Sequence, residues 1–311
     1  MLYALFFGIA LNHLAHAPLT RPGVEFAARS VLRLGVGLLG VRITTTQIVA
    51  LGWPTVAIVM AAVASTMAVA VLLGRRLGLP RTHSLLAGGA VAICGASAAL
   101  AIAAVLPRDT KDGARTTLLV VVAVTLLSTV AMVLYPLLVR AFDLPPSLAG
   151  LFLGGTIHDV AQVVGAGYTV NPATGDAATV VKLFRVTLLS VVVAGIAYAY
   201  RAQRVQEAEA TAARSGAGER RPARQPLLPW FLWLFVAMVV LNSTLGLAQP
   251  LQEGLSALSR ACLVLAIAAL GIKTSFMQLA RMGWRPVLLI VVETLWLATF
   301  VLVAALVMRS A

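Results

Sequence analysis

Charged residues are scarce in this chain of 311 residues. Only 11% of the residues are Asp, Glu, Lys or Arg, whereas 60% are hydrophobic, and the mean hydropathy is +0.95. So little polar sequence cannot cover the surface of a soluble globule. The composition therefore predicts a protein embedded in a lipid bilayer.

Cysteine is equally rare. Cys94 and Cys262 are the two cysteines of the chain, and both fall inside apolar segments. A disulfide framework and a cysteine-based metal cluster are therefore excluded, and we expect neither a metal nor a cofactor. The sequence also lacks an ATP-binding motif, which argues against a self-contained pump.

Acidic residues are outnumbered by basic ones, 11 against 24, which gives a net charge of +13. A nucleic-acid-binding surface is not indicated, because the basic stretch 201–227 has no aromatic residues on which bases could stack. In membrane proteins Lys and Arg collect in cytoplasmic loops. We therefore interpret 201–227 as a flexible cytoplasmic linker between two membrane parts, residues 1–200 and 228–311.

Apolar runs of about twenty residues, enough to cross a bilayer core, occur at 24–44, 51–74, 115–140, 177–200, 229–248, 252–272 and 286–308. Two further runs, 84–106 and 148–168, are interrupted by polar residues and glycines. The first run, residues 2–14, has no basic region before it, so we predict a short helix rather than a removable signal peptide. The expected fold is all-α and polytopic, with about eight to ten transmembrane helices.

An internal repeat joins the two membrane parts. Residues 252–285 repeat residues 21–54, and the identical pairs include Gly40 and Gly271, Gln47 and Gln278, Gly52 and Gly283, and Trp53 and Trp284. With 201–227 in the cytoplasm, counting the crossings makes 24–44 and 252–272 run in opposite directions. The repeat is then inverted, which is typical of secondary transporters.

A weaker repeat, offset by 62 residues, relates the two interrupted runs and the helices that follow them: Leu86–Gly88 matches Leu148–Gly150, and Thr125–Ser128 matches Thr187–Ser190. If both runs crossed the membrane, they would be parallel. If both re-enter, this repeat is inverted too, and the basic loop after 84–106 stays in the cytoplasm. We predict broken or re-entrant helices, with full crossing as the alternative.

The two interruptions are the candidate binding site. Irregular backbone is tolerated at bilayer depth only where protein or a water-filled cavity satisfies it, and free N–H groups at a half-helix N-terminus bind anions. Alternatively, the glycines only allow close helix packing. The candidate residues are Cys94, Gly95 and Ser97 in the first interruption, and Gly155, Thr156, His158, Asp159 and Gln162 in the second.

Ionisable residues inside apolar runs indicate ion or substrate pathways. His158 and Asp159 are candidates for handling a coupling ion, unless they lie in a loop at the outer surface. Lys182 and Arg185 either face the same cavity and attract an anion, or extend to the membrane interface. Glu293 is a further intramembrane carboxylate, and its counterpart in the repeat is Ala62.

The segments ICGASA (93–98), GTIHDVAQV (155–163) and KLFRV (182–186) resemble the YeiH-type sulfate exporters, and the similarity extends over nearly the whole chain. The resemblance implies a multi-pass protein of the bacterial inner membrane, distantly similar to sodium/proton antiporters and bile-acid-type carriers with interrupted helices. It makes sulfate the leading substrate. Family members have an additional N-terminal helix, so this chain is expected to begin at the counterpart of their second helix.

Together these features predict a secondary transporter that exports a small anion, coupled to a proton or a sodium ion. The lipid bilayer is its other expected partner, and a homo-oligomer stays open. An anion channel is the alternative. A remote alternative is an intramembrane enzyme with Cys94 or Ser97 as nucleophile and His158 as base.

Overall fold

The computed structural model describes residues 2–11, 19–50, 52–106, 113–202, 230–245, 247–273 and 283–310. Across these ranges the regular structure is helical, without strands. Residues 203–227 of the predicted linker lie outside the described residues, as does part of the basic loop that follows residue 106.

Fourteen α-helices fall within the described ranges, together with π-helical turns at Ala27–Val31 and Ala90–Cys94 and a 3-10 turn at Gly40–Arg42. In chain order the α-helices are α1 (Leu2–Ala10), α2 (Arg21–Phe26), α3 (Leu32–Leu39), α4 (Thr45–Ala50), α5 (Gly52–Arg76), α6 (Arg81–Gly89), α7 (Ala96–Ala103), α8 (Gly113–Ala141), α9 (Pro146–Thr156), α10 (Val160–Val170), α11 (Pro172–Ala199), α12 (Trp230–Leu245), α13 (Gln249–Lys273) and α14 (Trp284–Ser310).

Five of these helices, α5, α8, α11, α13 and α14, are long and apolar enough to cross a membrane. Each corresponds to one predicted apolar run. Helices of 25 to 29 residues extend about 38–44 Å at 1.5 Å per residue, more than the hydrocarbon core requires. The predicted all-α polytopic membrane fold is confirmed.

The predicted run 24–44 is not one regular helix. The π-helical turn at Ala27–Val31 separates α2 from α3, and the 3-10 turn at Gly40–Arg42 follows. Close packing accompanies this irregularity: Ser259 Oγ donates a hydrogen bond to the carbonyl of Gly35, at 2.6 Å. A side chain at Gly35 would place its Cβ 2.9 Å from Cβ of Cys262, so α13 can approach only because glycine is there.

The two halves of the first repeat pair in opposite directions. Gln252 at the start of α13 bonds to the carbonyl of Val41, and further along α13 Ser259 bonds back to Gly35. The helices α5 and α14 pair likewise, with contacts between Ser65 and Trp296 and between Gly74 and Leu289. The antiparallel pairing agrees with an inverted repeat.

The first interrupted run is a hairpin. The backbone turns at Gly95, whose φ of 64° lies in the left-handed region that favours glycine. Gly89 before the turn contacts the side chain of Ile102 after it. Thirteen residues of straight helix would separate these two positions by about 20 Å. The α6–α7 segment therefore enters and returns on one side.

The second interrupted run is also a hairpin. Along the chain, Phe152 contacts Tyr135 of α8, Asp159 contacts Ser128, and Gly165 contacts Met132. The contacted position on α8 therefore moves toward the start of α8 and then back again. The backbone turns at Ile157–Asp159, between α9 and α10. Since α6–α7 precedes α8 and α9–α10 follows it, the two hairpins enter from opposite ends of α8.

The helices form two bundles. A scaffold bundle contains α1–α3, α12 and α13, and a hairpin bundle contains α5–α11 and α14. The larger hydrophobic core lies mainly in the hairpin bundle. A smaller cluster joins the bundles, because Val164 and Leu183 of the hairpin bundle pack with Leu39, Phe235 and Leu263 of the scaffold.

Re-entry of α6–α7 predicts a disulfide. With Cys94 and Cys262 replaced by alanine, Gly89→Cys combined with Ile102→Cys should cross-link under mild oxidation, because the two positions are in contact. Mass spectrometry of the linked peptides measures the yield. The control pair Ala61→Cys and Gly74→Cys has the same spacing within α5 and should stay reduced; equal yields in both pairs would contradict the hairpin.

Candidate functional site

The tips of the two hairpins meet halfway along α8. A Cβ built on Gly95 would lie 3.5 Å from Cβ of His158 and 3.7 Å from Val124 on α8. The backbone N–H of Asp159 donates to Ser128 Oγ at 3.0 Å. Val124 and Ser128 are 11 and 15 residues into α8, about 17–23 Å from its start. The two breaks therefore lie at the middle of the membrane.

Lys182 of α11 bridges the two tips. Its side chain is fully buried, and Nζ donates to the carbonyls of Ile93 at 2.6 Å and Ile157 at 2.9 Å. These carbonyls belong to the last residues before each break. These carbonyls have no helical N–H partner because the helices end there. The ammonium group of Lys182 supplies the missing hydrogen-bond donors.

Arg185, one turn further along α11, binds the same two ends. Its guanidinium donates to the carbonyls of Val91 and Ala92, each at 2.5 Å, and to that of Ile157 at 3.2 Å. A helix C-terminus carries roughly half a negative charge, which favours a cation there. Both cations are fully buried, so the alternative in which they extend to the membrane interface is wrong.

Neither cation forms a close ion pair in the described part of the chain. Among the residues that the structure describes, no carboxylate lies within 4.0 Å of Lys182 or Arg185. Two helix C-termini offset about one unit of charge in total. Asp159 acts on Lys182 from beyond this distance and offsets a further charge at the second tip, so the positive potential that is left lies at the first tip, where the N-terminus of α7 has no side-chain cap.

The N-terminal ends of α7 and α10 differ. Asp159 caps α10, because its carboxylate accepts a hydrogen bond from the N–H of Ala161 at 2.8 Å. At α7 no side chain caps the first turn, and Gly95 has no side chain to offer. Ser97 in that turn is exposed. The hydroxyl of Ser97 hydrogen-bonds with Cys94. The start of α7 is thus the end at which first-turn N–H groups without a side-chain cap can meet an anion.

His158 holds the second tip against α14. Its Nε2 lies 3.1 Å from Thr294 Oγ1, which itself donates to the carbonyl of Ile290. In the tautomer with its hydrogen on Nε2, His158 donates to Thr294, and Nδ1 is then an acceptor. Nδ1 is buried and has no partner among the described residues. Since His158 is buried, the alternative of a loop at the outer surface is wrong.

The other predicted residues flank the tips. Thr156 donates to the carbonyl of Phe152 one turn back, and Gly155 packs against Val301. Gln162 Nε2 donates to Thr129 Oγ1 at 2.8 Å, while its Oε1 has no described partner. Cys94 is buried at the end of the π-helical turn Ala90–Cys94, which leads to the tip of the first hairpin.

Sequence reasoning missed three residues that hold the tips, Ser128, Thr129 and Thr294. Each carries a hydroxyl group and lies in a long, mostly apolar helix, where a single Ser or Thr does not stand out in the sequence. Ser128 does belong to the matched stretch of the second repeat. That match was the available signal for its role.

A cavity of about 350 Å³ lies between the two bundles, away from the tips. It is lined by Arg42, Asp176, Gln252, Glu253, Ser256 and Arg260. Arg42 of the scaffold pairs with Asp176 of the hairpin bundle at 3.9 Å, and Tyr168 donates a hydrogen bond to the same carboxylate. The sequence did not predict this cavity.

Residues 1–290 match the family described as Conserved hypothetical protein 698. The chain belongs to this family. The relatives of the Conserved hypothetical protein 698 family include the UPF0324 membrane protein TauZ of Paracoccus pantotrophus, 48% identical over 302 residues, which are 97% of this chain and 86% of that protein. The UPF0324 membrane protein CT0845 of Chlorobaculum tepidum is 44% identical over 303 residues, 97% of this chain and 81% of that protein.

The resemblance to the YeiH-type family is thereby confirmed. The relatives are named as membrane proteins of bacteria, and five membrane-length helices agree with that. This family member is a multi-pass bacterial membrane protein. No solved structure matches the chain.

Removing the ammonium group of Lys182 should destabilise the tips. Lys182→Met leaves the buried carbonyl of Ile93 without its donor, and an orphaned buried acceptor costs about 1–3 kcal/mol. The thermal unfolding midpoint in detergent should fall accordingly. Arg201→Gln, which changes an exposed cation just after α11, should leave the midpoint unchanged; an equal fall in both variants would contradict the bridging role.

Proposed function

We propose that this protein is a secondary carrier of a small anion, with sulfate as the leading substrate and export as the direction that the family resemblance implies. The observation that carries the proposal is the pair Lys182 and Arg185, two cations buried at the hairpin tips, where the carboxylate of Asp159 lies beyond ion-pair distance and caps α10. Buried charge is normally compensated by an opposite charge. A bound anion would supply it.

The start of α7 supports the place of binding. Its first-turn N–H groups have no side-chain cap, and Ser97 beside them is exposed. Gly95 at the N-cap of α7 packs against His158 of the second tip, because a Cβ built there would lie 3.5 Å from that of His158. An anion here would meet the positive end of α7, with the two cations behind the tips.

The same contacts argue against a cation as the main substrate. Carbonyl oxygens at broken helix ends are the groups that coordinate sodium in transporters of this architecture. Here the carbonyls of Val91, Ala92, Ile93 and Ile157 already accept from Lys182 and Arg185. The fixed cations thus fill the positions that a metal cation would use.

Alternating access would come from motion of the hairpin bundle against the scaffold bundle. The two bundles meet through the smaller hydrophobic cluster, through Leu5 and Ile267 of the scaffold, which belong to the larger core, and through the polar cavity around Arg42 and Asp176. The ion pair of Arg42 with Asp176 is a contact that this motion would have to break.

Uptake of radiolabelled sulfate into proteoliposomes tests the proposal, with and without an imposed pH gradient. The wild type should show saturable flux. His158→Ala should lower it by about tenfold or more, equivalent to about 1.4 kcal/mol, because the second tip loses its bond to Thr294.

The control is His83→Ala, which changes a histidine on α6 outside the tips and should retain wild-type flux. Flux that rises linearly with sulfate concentration would favour a channel and contradict the carrier. Absence of sulfate flux would exclude sulfate as the substrate, and a panel of sulfonates and carboxylates would then test the anion class.

A further inference from the structure

Glu293 is a buried carboxylate that the tips do not use. It lies nine residues into α14, its side chain is fully buried, and neither carboxylate oxygen has a hydrogen-bond partner among the described residues. A charged group left in this state would be very costly, so the carboxyl group is neutral and carries a proton. Intramembrane ionisable residues are functional candidates for this reason.

The fold does not require an acid at this position. In the repeat, the counterpart of Glu293 is Ala62 of α5, and Ala62 is just as buried. One half of the inverted repeat therefore packs with a methyl group where the other half carries a carboxyl group. Packing alone does not account for Glu293.

A second unsatisfied group lies in the same interface. Thr66 Oγ1 is buried on α5 without a described partner. The hydrogen bond of Trp296 Nε1 to Ser65 Oγ, at 3.2 Å, places this part of α5 against the middle of α14. Two orphaned polar groups on facing helices indicate a polar position built into an apolar contact.

The position is linked to the proposed anion site through one residue. Thr294 follows Glu293 in α14 and accepts the hydrogen bond from His158 at the tip of the second hairpin. A change at the tip is therefore transmitted directly to the turn of α14 that carries the carboxyl group. By contrast, Asp159 at the tip is committed to capping α10.

A single carboxyl group suits a proton rather than a metal ion. Hard cations require several oxygen ligands, and the described residues contain no group of three or more potential ligands from His, Cys, Asp and Glu. We propose that Glu293 is the proton-binding site of the carrier, and that it holds its proton while the anion is bound at the tips. This inference rests on the proposed anion carrier.

The sign of the coupling follows from charge. An anion at the tips disfavours a second negative charge on α14, so anion and proton are bound together and move together. A dianion accompanied by one proton still carries one net negative charge. An inside-negative membrane potential therefore still drives it outward.

Other titratable groups on the elements packed against α14 have to be separated from Glu293. Those whose side chains the structure describes are Arg75 and Arg76 at the end of α5, Arg81 and His83 on α6, Cys94 in the π-helical turn, Tyr135 and Arg140 on α8, and His158, which bonds to Thr294, while α9 has none. The charge of His83 and of His158 ordinarily changes near neutral pH, and His158 belongs to the tips. The variant His83→Gln therefore serves as a control.

Labelling with dicyclohexylcarbodiimide, which reacts with protonated carboxyl groups in apolar surroundings, tests the site without any transport. Glu293 should be modified in the protein reconstituted in nanodiscs, as detected by peptide mass spectrometry, and exposed Glu253 on α13 should not. If Glu293 resists this reagent while Glu253 reacts, the inference is overturned.

Transport supplies the second readout. Wild-type sulfate flux should depend on pH by up to about tenfold per unit, the limit for one titrating group. Glu293→Gln should abolish this dependence, Glu293→Asp should shift it, and His83→Gln should retain it. A pH profile unchanged in Glu293→Gln would overturn the inference.

The outcomes distinguish the inference from the proposed function. Labelling of Glu293 together with absent flux of every anion would support a proton site and overturn the anion carrier. Saturable anion flux without labelling or pH dependence would support the carrier and overturn the role of Glu293.

Discussion

The whole arrangement depends on one constraint: backbone carbonyl groups exposed by a break in the middle of a membrane must find a donor. Four carbonyls at the two hairpin tips find theirs in Lys182 and Arg185. Both donors come from adjacent turns of α11, so a single helix holds both hairpins. Without these cations, the four carbonyls would lose the side-chain donors that satisfy them.

Satisfying the carbonyls creates a new imbalance, and the proposed function follows from it. The two buried cations are offset by the helix C-termini and by Asp159 at the second tip, which leaves the N-terminus of α7 as the uncompensated positive end at the first tip. The groups left without partners then gain meaning: the uncapped first turn of α7, Nδ1 of His158 and the carboxyl group of Glu293. A site that is complete only when an anion and a proton are present is what a coupled carrier requires.

Much of this fold could be predicted from the sequence. Span length and hydropathy located the five long helices, and glycine with polar residues located both interruptions, because each property is local. The partners of Lys182 and Arg185 could not be predicted, since a cation in an apolar run is equally compatible with a cavity, an interface or a helix end. Which one applies depends on where α11 lies relative to both hairpins. Thr294 was missed for the same reason, as its importance comes from a partner 136 residues away.

The unequal caps of α7 and α10 have a consequence for how many anions one chain carries. By the 62-residue offset, Ser97 and Asp159 are counterparts. Duplication produced two equivalent half-helix starts, but at one of them the chain provides its own carboxylate in place of a ligand. The carboxylate of Asp159 occupies the N-terminal end of α10, where an anion would otherwise bind. In the proposed carrier this gives a stoichiometry of one anion per chain, although the two hairpins are related by an inverted repeat.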